Sequence, residues 1–171
     1  MTDSNKKAEF GWAMFDWANS SYSLVISTAI FPTFFIAMTD LKINIWGMEI
    51  SNSSLYAFTV SLAYFIVCLI SPILSGIADF GGSRKKYMRL FTTIGSLSCM
   101  FLFFFNGMDR LYIGILGFLF ATLSHAGSLV FYDAYIADLV PPERSDKLSA
   151  KGYAYGYIGC CCCNNTLFSV Y

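Results

Sequence analysis

Residues 55–78 read LYAFTVSLAYFIVCLISPILSGIA, and residues 79–86 read DFGGSRKK. The first stretch holds no Asp, Glu, Lys, Arg or His. The hydrocarbon core of a bilayer takes about 20 apolar residues of α-helix, so residues 55–78 predict a membrane-spanning helix. An acidic residue, a glycine pair and three consecutive cations follow it directly. An uncharged rod that ends in a charged turn is the mark of a chain that crosses a membrane more than once.

The same pattern repeats on both sides. A first helix is expected from Trp12 to Met38; it contains Pro32, which membrane helices tolerate because neighbours re-satisfy the freed carbonyl. A polar loop is expected over residues 39–53, with Asp40, Lys42, Asn44 and Glu49. After the basic turn of Arg84, Lys85, Lys86 and Arg89, a third helix is expected from Leu90 to Phe105. Residues 106–110 make a tight turn, and a fourth helix runs from Leu111 to Leu139. Pro141 and Pro142 stop it, Glu143, Arg144, Asp146 and Lys147 form a polar loop, and a fifth helix starts near Ser149. The fold class expected is an all-α membrane protein: a polytopic bundle of four transmembrane helices (residues 1–148) and a truncated fifth (residues 149–171). Composition agrees. Charged residues are 13% of the chain, about half the usual share of a soluble domain. The formal net charge is zero, which excludes a nucleic-acid partner held by a basic field. The segment after Lys6 and Lys7 is too long for a cleavable signal, carries Asp16 and Asn19, and lacks a small-x-small cleavage site.

Orientation follows from the cations. The N-terminus, the 2–3 turn and the 4–5 connection hold nine of the eleven Lys and Arg; Lys42 and Arg110 lie on the other side. The N-terminus is therefore expected in the cytoplasm. Trp12 and Trp17 fit the inner aromatic belt and Trp46 the outer one.

Charged groups within the spans are confined to the first and fourth helices. Charge in hydrocarbon costs several kcal/mol, so such groups face a partner or a water-filled path. The first helix holds Asp16; a helix starting one turn later would instead use it as a cap. The fourth holds His125 and Asp133, which share a face with Leu129 at i, i+4 and i+8. Ser124, Ser128 and Tyr132 line the adjoining stripe. His125 can be an interhelical hydrogen-bonder or a titrating group near neutral pH. Small residues four apart (Gly117 and Ala121, Gly152 and Gly156) indicate close helix packing.

The turn after the second helix is the most specific feature. Ser75, Asp79, Gly82, Arg84 and Lys85 resemble the cytoplasmic 2–3 loop signature of the major facilitator superfamily: a small residue, an Asp four on, a Gly three further, then a basic pair. Ser75 stands where Gly is usual, and Ser83 displaces the basic pair by one. Residues 12–22, residues 132–135 (YDAY) and residues 145–159 resemble its vacuole effluxer-like branch of bacterial permeases and fungal vacuolar amino-acid exporters. The resemblance implies twelve helices in two halves, with the first and fourth lining a central cavity and one half rocking against the other. It places Asp16, Asn19, Tyr22, His125, Tyr132 and Asp133 along a substrate or proton path. It makes Ser75, Asp79, Gly82, Arg84 and Lys85 a cytoplasmic gating loop. It implies transport of a small solute such as an amino acid, with or without a coupled proton, in a bacterial inner membrane. Beyond lipid and solute, the expected partner is a C-terminal half that this chain lacks. It implies no cofactor.

Cys160 to Cys163, followed by Asn164 and Asn165, interrupt the expected fifth helix. Adjacent cysteines cannot all reach one tetrahedral metal ion. Cysteine codons read one base later give Ala or Val, and Asn codons give Ile or Thr, so a frame-shifted tail from about residue 160 is expected, and with it an inactive fragment. The alternative is a small four-helix membrane scaffold or subunit. No metal motif, nucleophile elbow or phosphate loop supports an enzyme.

Overall fold

The computed structural model describes residues 3–45, 47–80 and 83–169. A helix α1 (Asp3–Tyr22) passes into a π-helical segment (Ser23–Ala29) and then α2 (Ile30–Met38). Strands β1 (Lys42–Ile45) and β2 (Met48–Ser51) follow, then α3 (Asn52–Phe80), α4 (Arg84–Leu102), a 3₁₀ turn (Met108–Arg110), α5 (Leu111–Leu139) and α6 (Pro142–Ser169). Three spans among the described residues are long and apolar enough to cross a membrane: Lys6–Met38, Asn52–Phe80 and Met108–Leu139. The 19 residues of α4 include Arg84, Lys85, Lys86 and Arg89, and this cationic first turn keeps α4 out of that set. The chain forms two compact units, one of Met1–Phe31 with Tyr135–Tyr171 and one of Pro32–Ala134.

In the second unit, glycine lets α4 and α5 touch. A methyl group at position 117 would lie 2.8 Å from Leu102 Cδ2, and one at position 127 would lie 2.7 Å from the Phe91 ring. At position 114 it would meet Phe105 at 2.8 Å. Gly114, Gly117, Ala121, Ser124, Ser128 and Phe131 are all buried, and their alternating steps of three and four residues draw one stripe along α5. Lipid tails are as apolar as leucine, so close van der Waals contact, not water exclusion, holds such a seam. Aromatic rings fill what the small residues leave. Phe35 stacks on Phe105 with centroids 5.6 Å apart, Tyr56 lies 5.7 Å from Phe35 and 5.4 Å from Phe118, and Tyr87 stacks on Phe131 at 5.1 Å.

In the first unit α6 packs along α1. Leu148, Gly152, Gly156 and Gly159 form its buried stripe. A methyl group at position 159 would come within 2.5 Å of Trp17 Cδ1. Phe10 meets Tyr155 edge to face at 6.2 Å, and Arg144 Nη2 stands 3.5 Å from Glu9 Oε1.

Three expectations need correction. The stretch 39–53 is not simply a polar loop: Ile43, Ile45 and Ile50 sit in an antiparallel hairpin with Ile43 opposite Ile50. Its turn uses Gly47 at φ 82°, whose N–H donates to Asn44 Oδ1 at 3.0 Å; Trp46 lies outside the described residues. The fifth helix begins at Pro142, not near Ser149, and is helical through the cysteine run to Ser169. Proline suits the first helical position because the N–H it lacks has no partner there, and Glu143 follows it, where the helix dipole favours an anion. The basic residues are likewise not a turn but the opening of α4. Asn52 and Gly107 hold the connections near the end of α2. Asn52 Nδ2 donates to the carbonyls of Ile36 and Thr39 at 3.1 and 3.3 Å, serving the otherwise orphan end of α2. Gly107, at φ 93°, sits where a methyl group would lie 2.9 Å from Met38 O.

Overpacking a tight seam costs about 1–3 kcal/mol. Gly117→Val and Gly127→Val are therefore expected to lower the melting temperature of the detergent-purified protein, whereas Leu116→Val, at a half-exposed position on the same helix, should leave it unchanged.

Candidate functional site

A cleft of about 350 Å³ opens in the first unit between α1, the π-helical segment and α6. Its polar lining comes mainly from one helix: Asp16, Ser20, Ser23 and Thr28. Asp16, Ser20 and Ser23 stand at i, i+4 and i+7, one face of an α-helix. Tyr153, Gly156, Tyr157 and Cys160 of α6 close the other side. No Lys, Arg or His lines it.

Asp16 sits in the middle of α1, inside an apolar span. This removes the capping alternative, because mid-helix N–H groups are already bonded within the helix. Its carboxylate has no hydrogen bond or ion pair to any described residue. Gly156 is what lets it stand where it does. A methyl group there would lie 2.7 Å from Asp16 Oδ2 and 2.8 Å from Ser20 Oγ, so both oxygens pack directly against the α6 backbone.

The π-helical segment forms the next turn of the cleft. Pro32 lacks an N–H and its ring crowds the carbonyl four residues back, at Thr28. A widened turn immediately before it relieves that crowding, and such turns recur at functional sites. Thr28 Oγ1 donates to Ser23 O at 3.0 Å, and Ser21 Oγ to Trp17 O at 3.2 Å, so side chains take up backbone carbonyls here.

The other residues singled out from the sequence are distributed as follows. Asn19 is half-buried, and its Nδ2 is buried without an acceptor among the described residues; neither it nor Tyr22 lines the cleft. His125, Tyr132 and Asp133 belong to the second unit. Tyr132 is buried, His125 half-buried and Asp133 exposed. Ser128 Oγ donates to His125 O at 2.7 Å. Ser124 packs 3.3 Å from where a methyl group on Gly95 would be, so this member of the stripe serves helix packing. Ser20, Ser23, Thr28, Tyr153 and Tyr157 were not singled out. The i+4 and i+7 spacing of Ser20 and Ser23 from Asp16 could have found two of them; the α6 side chains carry no such signal.

In the segment 75–86, Ser75 and Asp79 close α3, and Arg84 and Lys85 open α4; Gly82 lies outside the described residues. Asp79 is exposed and makes no ion pair among the described residues. Arg84 does the joining. Its Nε donates to Ala78 O at 2.7 Å and its Nη1 to Ala134 O at 3.0 Å. A cation at the C-terminal end of α3 is favoured by that helix's dipole, while at the start of α4 it is not. Arg84 therefore acts for α3 and α5, not for the helix that carries it.

Apolar helices of spanning length, close-packed through glycine and carrying a polar cleft, define an α-helical integral membrane protein. Over residues 4–166 the chain matches the family described as vacuole effluxer Atg22 like, and it belongs to that family. It is 35% identical over 154 residues to an uncharacterized MFS-type transporter, YxiO, of Bacillus subtilis, an alignment covering 90% of this chain and 35% of that protein. It is 38% identical over 101 residues to autophagy-related protein 22-1 of Aspergillus niger, covering 57% of this chain and 16% of that one. An uncharacterized protein of Aquifex aeolicus is 25% identical over 148 residues, 86% of this chain and 35% of its own length. The chain thus spans 35% of the length of either bacterial relative. No solved structure matches it.

A wet cleft exposes thiols to charged reagents. In a background without the six natural cysteines, Ser20→Cys and Ser23→Cys should react quickly with a membrane-impermeant cationic thiol reagent. Leu69→Cys, on the exposed apolar surface of α3, should react slowly because lipid covers it.

Proposed function

We propose that the protein carrying this chain moves a small solute across a membrane by alternating access, with this chain as the N-terminal part of the machine. One observation carries the reading: a carboxylate and two hydroxyls facing a cleft within an apolar span. An isolated structural bundle has no use for so costly a group. The MFS-type relative in Bacillus subtilis supports the same class. Amino acids or similarly small polar molecules are the proposed solutes, because the cleft offers an acidic group and hydroxyls within a few hundred Å³. The polar groups of α5, His125, Tyr132 and Asp133, are proposed to serve the same solute or proton path, as are Asn19 and Tyr22 of α1.

The proposal assigns α4 as a further membrane crossing, short because its first turn lies in the headgroup region, where Arg84, Lys85 and Lys86 meet anionic lipid. It puts the N-terminus and these cations in the cytoplasm of a bacterial cell. Arg84, bridging α3 and α5 at that surface, is the fixed point of the proposed gating loop, with Ser75, Asp79, Gly82 and Lys85. The helices up to Leu139 then supply the first four, and α6 (Pro142–Ser169) is the fifth. Transport needs the remaining helices, so this stretch alone is proposed to be inactive.

The test is reconstitution of the full-length protein in liposomes with a labelled amino-acid mixture. Uptake is expected, and Asp16→Asn should lower it at least about tenfold, the loss of roughly 1.4 kcal/mol of transition-state or binding energy, with membrane insertion unchanged. Asp133→Asn should also lower it. Uptake at the unmodified rate in both variants would remove the site; uptake by residues 1–171 alone would remove the division of labour.

Arg84→Gln leaves two carbonyls with a weaker, neutral donor. Its expected signature is increased labelling of a cysteine at Lys85 in whole-cell lysates, with transport reduced and expression near normal.

A further inference from the structure

A groove of about 430 Å³ runs along an exposed face of the α4–α5 pair. Ile94, Leu97 and Phe101 of α4 form one wall, and Tyr112, Leu116 and Phe120 of α5 form the other. All six side chains are exposed. Between the walls lie the buried Ser98 and Gly117. Ser98 Oγ donates to Ile94 O at 2.8 Å, so the floor offers no polar group in want of a partner.

The α5 wall lies inside the apolar span Met108–Leu139, so hydrocarbon bounds the groove. From Tyr112 to Phe120 is about 12 Å at 1.5 Å per residue, most of the roughly 15 Å depth of one leaflet's hydrocarbon. A second helix is a poor occupant. Helices associate in lipid through small residues, and the small residues here are spent between α4 and α5. Methyl groups at Gly95 and Gly117 would meet Ser124 and Leu102 at 3.3 and 2.8 Å. What faces outward is two ridges of large side chains with a trough between them, a seat for a thin flexible chain. The charge at the groove's end fits a lipid as well. Arg110, which closes the 3₁₀ turn, stands two residues before Tyr112. Of the cations in residues 39–53 and 103–110, Lys42 is held by Glu49 at 2.9 Å, while Arg110 makes one long contact, Nη1 to Phe104 O at 3.5 Å. The planar guanidinium fork matches a phosphate.

We propose that the α4–α5 groove holds one acyl chain of a bilayer phospholipid, with the lipid phosphate on Arg110. The site rests on α5 crossing the bilayer and not on transport. Its test uses the full-length protein with the photoreactive residue benzoylphenylalanine in place of Leu116 or, on the facing wall, of Leu97. The protein is washed in lipid-free detergent until bulk lipid is gone, illuminated and weighed intact. A phospholipid adduct is expected at both positions, with little or none at Leu69, on the exposed surface of α3. Phosphatidylglycerol is then titrated into the delipidated protein. Arg110→Gln should raise the lipid concentration for half-maximal labelling about tenfold, the loss of one hydrogen bond between charged groups.

An adduct to a peptide, of this protein or another, would overturn the proposal by placing a helix in the groove. So would the absence of adduct at both positions, or equal yields at Leu116 and Leu69, which mark bulk lipid only. Unchanged half-maximal labelling in Arg110→Gln would remove the headgroup contact and the proposal with it. The expected adducts in a protein that shows no uptake would uphold the lipid site and count against the transporter reading alone.

Discussion

Backbone amides and carbonyls in hydrocarbon have no water to bond, so each must be satisfied by the protein itself. Almost every feature of this chain is a response to that demand. The long helices answer it directly. Where they end or widen, side chains take over: Asn52 serves the end of α2, Arg84 serves α3 and α5, and Thr28 serves Ser23 within the π-helical turn. The hairpin satisfies a connection that would otherwise be an open loop, pairing Ile43 with Ile50. Its exposed Lys42–Glu49 pair adds little, as surface ion pairs do.

Once the backbone is satisfied, association of the helices has to come from fit. Leucine-rich surfaces gain nothing by leaving lipid, so glycine and serine do the work by letting backbones approach. The α5 stripe from Gly114 to Phe131 and the α6 stripe from Leu148 to Gly159 are two versions of one solution. They differ in one respect. The α5 glycines receive aromatic and aliphatic side chains, whereas Gly156 receives a carboxylate and a hydroxyl. A packing device thereby becomes the floor of a polar cleft.

This double use of glycine separates structure from function within one motif type. Gly117 and Gly156 look alike in the sequence, each with a small residue four positions away. What lies opposite is different: Leu102 for one, Asp16 with Ser20 for the other. In the same way, Ser124 and Ser23 are both serines in apolar helices, but the first packs against Gly95 and the second lines a cleft.

The order of hydrophobic segments, the family signature around Asp79 and Arg84, and the presence of costly polar groups in the spans Lys6–Met38 and Met108–Leu139 were legible in the residues, because hydropathy, charge and spacing are properties of a single strand of sequence. Boundaries were less so. Pro142 and the basic run at Arg84 read as loop because charge and proline interrupt hydropathy, yet both are compatible with the first turn of a helix. The hairpin was hidden by its short strands among polar residues. Which polar groups share a cleft was decided only by the fold: Asp16 and Gly156 are 140 positions apart, and no local pattern joins them. Sequence determined what had to be buried in lipid, through the energy of transfer; tertiary packing decided which carboxylate would line a cleft, because that depends on what stands opposite.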